Sequence, residues 1–150
     1  MRFRKVAALG LAAWMGTTAA FAQEAAAPAP TPDAKLTLEL NALQPSDRGG
    51  CRLTFLVNNG LGSDLEKASF EMALFNEAGV VDRLAVLDFN DLPAGKTKVT
   101  RFDLANADCA KISRVLINSA TECRGASVAP QACLRQLSAS SRSANVTFGL

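Results

Sequence analysis

SFEMALFNEAGVV, residues 69–81, carries two conflicting signals. Met72, Ala73, Leu74 and Glu71 are good helix formers, yet the apolar residues alternate as in a strand. Wound at about 100° per residue, Leu65, Ala68, Met72 and Phe75 fall on one side. Phe70 and Leu74 then fall opposite, so the helix would be apolar nearly all round. Extended, the same stretch puts Ala68, Phe70, Met72 and Leu74 on one face, and Ser69, Glu71 and Ala73 on the other. Asn76-Glu-Ala-Gly79 follows as turn chemistry, with Gly79 free to take positive φ. Residues 80–89 form another short apolar run without Gly or Pro, so the pair reads as a hairpin.

The strand reading extends along the chain. Leu36, Leu38 and Leu40 alternate with Thr37, Glu39 and Asn41, and Leu53, Phe55 and Val57 alternate with Arg52, Thr54 and Leu56. Asn58-Asn59-Gly60 breaks that second run. Residues 96–104 follow a Pro93-Ala-Gly95 turn, 112–118 present Val115 and Ile117, and 145–148 end the series. Strands of this length between turn signals predict an all-β fold, an immunoglobulin-like antiparallel β-sandwich of about seven strands. Ala132, Cys133, Leu134 and Leu137 cluster at helical spacing and predict a short helical turn near 130–137. Ser138–Ser143 reads as a Ser-rich connector.

LVNNGLGSDLEKASFEMALFNEAGVVDR followed by LPAGKTKVTRFDL resembles small bacterial envelope β-sandwich domains of the FxLYD and fibronectin-III-like kind. Leu74-Phe75-Asn76 and Gly79-Val80 carry the likeness, which covers about half of the chain beyond residue 22. It implies a sandwich fold and an envelope location, and transfers no catalytic residue. The four-cysteine C-terminal part lies outside that pattern and looks more like exported proteobacterial proteins of no assigned activity.

Arg2, Arg4 and Lys5 precede an apolar core at 6–20, and Ala20-Phe21-Ala22 offers a small–x–small cleavage site. Residues 1–22 therefore read as a signal peptide cleaved after Ala22; the competing reading, a retained anchor, needs about 20 apolar residues. The leader has no Arg-Arg pair, and Gln23 rather than a Cys directly follows the cleavage site. A bacterial general secretory route to the periplasm or medium is expected, without a lipid anchor or a transmembrane segment after cleavage. Residues 23–35, QEAAAPAPTPDAK, have no large apolar side chain and read as a disordered linker to a β-sandwich domain at 36–150.

Cleavage also changes the electrostatics. The chain has 16 Lys+Arg and 14 Asp+Glu, net +2, and the leader holds three of the bases and no acid. The remainder is thus near −1, which gives no support to nucleic-acid binding. The chain has no His or Tyr, and its single Trp is Trp14 in the leader. No imidazole is offered for acid–base work or metal ligation, and no Trp or Tyr for stacking on sugars. Neither a catalytic residue, a metal site nor a cofactor is expected.

Cys51, Cys109, Cys123 and Cys133 all lie beyond the leader, without the close pairs of a four-cysteine zinc site or a Cys-x-x-Cys redox motif. Two disulfides are expected in an oxidising compartment. An up-and-down order sends the second and sixth strands the same way. Cys51 opens one and Cys109 lies just before the other, which favours Cys51–Cys109 and leaves Cys123–Cys133 to close the last loop.

Lys96 and Lys98 share one strand face, either as a cationic stripe for phosphates or an acidic partner, or as lysines guarding a sheet edge. Arg124 and Arg135 flank the 123–133 loop and complete the candidate partner surface. Gly95-Lys96-Thr97 lacks the upstream glycine of a phosphate loop. Asp82, Asp88, Asn90 and Asp91 lack calcium-loop spacing and read as turn residues. Three function classes follow. The first is a non-catalytic exported module that binds another envelope protein or polymer. The others are a redox accessory or Lys/Cys-based enzyme, and an inhibitor presenting the 123–133 loop.

Overall fold

The computed structural model describes residues 34–150. The stretch expected to be a signal peptide and nearly all of the expected 23–35 linker lie outside the described residues. Strand geometry wins at 69–81: β3 (Lys67–Asn76) turns into β4 (Val81–Asp88). Ala68, Phe70, Met72 and Leu74 are buried, because a strand can put all four on one face and a helix cannot. The Asn76 side chain accepts from the backbone N–H of Ala78 and Val80, and Gly79 takes φ 75°. The turn chemistry thus fixes the hairpin locally.

The remaining strands are β1 (Leu36–Pro45), β2 (Cys51–Asn59), β5 (Thr97–Leu104), β6 (Ile112–Arg124), β7 (Leu137–Ser141) and β8 (Thr147–Gly149). A four-residue helix, α1 (Ala132–Arg135), precedes β7, inside the stretch where a helical turn is expected. Two four-stranded sheets form, ordered β5-β2-β1-β7 and β4-β3-β6-β8. The fold is all-β, but two expectations are corrected. The sheets are mixed rather than antiparallel, because β7 runs parallel to β1 and β8 parallel to β6. Eight strands form rather than about seven, because the supposed Ser138–Ser143 connector contributes β7, registered from Leu36 opposite Leu137 to Leu40 opposite Ser141.

Phenylalanine fills the space between the layers. The Phe55 ring of β2 meets Phe89, Phe102 and Phe148 edge-on at centroid distances of 5.5, 6.0 and 5.4 Å. Phe70 of β3 joins through Phe89 at 5.9 Å. Such pairs add about 0.5–1.5 kcal/mol each beyond the area they bury. Leucines of β1 and β2 complete the core.

Disulfides tie the two ends. Cys51 is bonded to Cys109, and Cys123 to Cys133. Cys51 sits at the start of β2 opposite Leu104, the last residue of β5, so the short 105–108 segment brings Cys109 to the same end. Cys123, near the close of β6, meets Cys133 in α1 at the opposite end.

Candidate interaction surfaces

Each sheet has an edge on the side where β4 and β5 lie, and an inward-facing cation guards each edge. Arg83 is opposite Leu74 on the inner face of β4. Its guanidinium donates to the carbonyls of Ala105 and Asn106, just past β5, at 2.8 and 3.1 Å. Lys98 is opposite Val57 on the inner face of β5. Its ammonium donates to the Asp91 carbonyl at 2.8 Å and the Phe89 carbonyl at 3.4 Å, just past β4. A charge aimed inward from an edge strand deters pairing with another strand, since pairing would bury it. On the other side, β7 and β8 are short, and the Ser141 hydroxyl of β7 donates to Val146 at 2.7 Å.

The outer face of the β4-β3-β6 sheet is organised in rows. At one end Lys67 lies 3.4 Å from Asp88 and 3.0 Å from Glu122, over the buried Ser69. Hydrogen bonding to Glu122, then to Asp88, raises the Lys67 pKa. Asp88 is lowered, first by the backbone N–H of Asn90 and then, through charge and hydrogen bonding, by Ser69 and Lys67. Beyond Glu71, whose carboxylate accepts from the Asn118 side chain at 2.6 Å, the face turns apolar toward the β3–β4 turn. Val86 lies opposite Glu71, Leu84 opposite Ala73 and Val81 opposite Phe75, with Leu116 of β6 on the other side of Ala73. Leu84 and Val86 are 57% and 59% exposed, and Val80 and Val81 join them at 59% and 47%. Arg114 caps the patch over the Phe75 ring at 5.4 Å. The sequence reading of 80–89 as a short apolar run did not single out this patch, because the faces of Leu84 and Val86 depend on the register of β4 against β3, which shifts between Leu74 and Phe75.

The four expected partner-surface residues lie at one end of the molecule but do not form a single cationic stripe. Lys96 precedes β5, and its carbonyl accepts from Asn59. Lys98 is occupied by the 89–91 segment, including Asp91 at 3.4 Å. Arg124 approaches Glu122 at 3.9 Å. Arg135 has no ion-pair partner among the described residues. It borders a cavity of about 360 Å³ under the 123–133 loop.

Among the described residues no group of three or more His, Cys, Asp or Glu is placed to hold a metal ion. Asp88 accepts from the Asn90 N–H in the turn after β4, which holds Asn90 at φ 57°. No helix among the described residues is long and apolar enough to cross a membrane. Cys51 and Cys133 are fully buried within their disulfides. No family model, curated protein or solved structure matches the chain.

Proposed function

We propose that this chain is a non-catalytic exported module of the bacterial envelope, an immunoglobulin-like β-sandwich that docks another envelope protein or polymer. The order β5-β2-β1 opposite β4-β3-β6-β8 supports the immunoglobulin-like reading, since such sandwiches arrange their early strands in this way. The two disulfides are compatible with export to an oxidising compartment. Fully buried sulfurs in Cys51 and Cys133 favour a structural role over redox exchange, which needs an accessible thiolate.

The observation that carries the docking function is the concentration of exposed apolar side chains on one hairpin. Val80, Val81, Leu84 and Val86 are four of the six exposed large apolar residues among those described. A contiguous patch beside charged residues is the usual mark of an interaction face. Docking uses the sheet's face rather than strand addition, because Arg83 and Lys98 guard both open edges.

The test is photo-crosslinking in the native envelope from a probe at Val86. Capture of a discrete partner, lost in L84D and kept in the charge reversal K96E/K98E, supports this surface. Capture that survives L84D but fails in K96E/K98E moves the interface to the lysine-bearing end.

A further inference from the structure

The cavity beside α1 has two walls held in place independently of any ligand. One is the 123–133 loop, closed by Cys123–Cys133, with the Cys133 N–H also 3.3 Å from the Cys123 sulfur. Gly125 packs against the Asp64 carbonyl and the Val128 side chain so closely that a Cβ would overlap both. The other wall carries Leu61, whose backbone N–H donates to the Asn59 side chain at 3.1 Å. Asn59 is fully buried, and its amide donates to Leu92 at 2.7 Å and Ser63 at 2.9 Å. A buried amide satisfied at every bond resists reorientation, so Leu61 is fixed.

Leu61, Val128, Ala129 and Ala132 supply apolar lining, Gln131 and Arg135 border the same space, and among the described residues no carboxylate lines it. At about 360 Å³ the cavity lies within the range of small-ligand sites, though near the lower end. A guanidinium without an acidic partner among the described residues, beside an apolar floor, suits a carboxylate that carries a short aliphatic group. We infer that this cavity binds such a monocarboxylate, with Arg135 holding the carboxylate and Leu61 and Val128 receiving the aliphatic part.

The ligand chemistry has two sources, a short fatty acid and a free peptide C-terminus ending in an aliphatic residue. Hexanoate and N-acetyl-leucine probe the two, with hexanamide and N-acetyl-leucinamide as uncharged counterparts. Amide chemical shifts of the isotopically labelled protein are followed during titration. Saturable shifts at Leu61, Val128 and Ala132 with either acid support the site, and the acid that binds identifies the source. R135Q should weaken that binding at least tenfold, V128F should abolish it by filling the space, and R124Q should leave it unchanged. Absence of saturation with both acids, equal binding of acid and amide, or unchanged binding by R135Q overturns the inference.

Discussion

Arg83 and Lys98 close the same open side of the two layers from opposite sheets. Each side chain points inward from an edge strand and ends on backbone carbonyls that belong to the chain just beyond the other edge. The pair therefore joins the layers and leaves neither edge free to receive a strand. Charge-assisted hydrogen bonds contribute about 1.5–3 kcal/mol when sheltered, and partial exposure reduces this, so R83A and K98A should each cost about 1 kcal/mol. R83V/K98V removes the inward charges and should show concentration-dependent association in sedimentation velocity beyond that of the unmodified protein. An unchanged sedimentation profile would show that the edges are protected by other means.

Stability should depend on pH through named pairs. Asp103 accepts two N–H bonds from Arg52, at 2.7 and 3.1 Å, and this hydrogen bonding lowers its pKa; Asp88 is lowered too, first by the Asn90 N–H. A carboxyl lowered in the folded state stabilises fully above its unfolded value of about 4, and that contribution disappears as pH falls through the folded value. Lys67 is raised, so its contribution is complete below its unfolded value of about 10.4 and is lost as pH rises through the folded value. Urea midpoints measured across pH should fall at both extremes. D103N should flatten the acid limb and K67M the alkaline limb. Slopes identical to the unmodified protein would assign the pH dependence to other groups.

Where local chemistry decides the outcome, the sequence is readable. Asn76 and Gly79 make the β3–β4 turn within a few residues, and the alternation of Ala68, Phe70, Met72 and Leu74 marks a buried face. Strand β7 is hidden because Ser138, Ser140 and Ser141 give it the composition of a connector. What makes it a strand is its parallel pairing with β1, whose partner residues lie about 100 positions earlier, and for which no local signal exists. β6 extends to Arg124, well past residue 118, because register shifts opposite Ser69–Phe70 and Glu71–Met72 break its alternation without ending it. Alternation alone separates the faces of Lys98 and Thr97, but which face points inward depends on pairing with Val57 and Asn58.

Phe55 touches three other rings of the core, Phe89, Phe102 and Phe148, as many as Phe89 itself touches. F55A should cost about 3–5 kcal/mol, since three neighbouring rings border the cavity and cannot all collapse into it. F55L should cost less, by keeping most of the volume while losing the edge-on contacts. Chemical denaturation of both variants checks the order. Equal losses would place the energetic centre of the core elsewhere.

The two disulfides should fail differently when removed, because they close very different lengths of chain. Cys51–Cys109 spans 58 residues and Cys123–Cys133 spans 10. Chain-entropy arithmetic gives about 4 kcal/mol for the long link and about 3 for the short one, before strain and residual unfolded structure reduce both. C51A/C109A should therefore lower the global stability more, and faster amide exchange should spread from the end where β2 begins and β5 closes. C123A/C133A should release α1 and the loop around Val128 while leaving the hairpin of β3 and β4 protected, because that hairpin is held by Asn76 and the phenylalanine core. Alkylation of the unmodified protein without reductant should label none of the four cysteines. Exchange that rises uniformly in both variants would mean that the domain unfolds as one unit and that neither bond has a local territory.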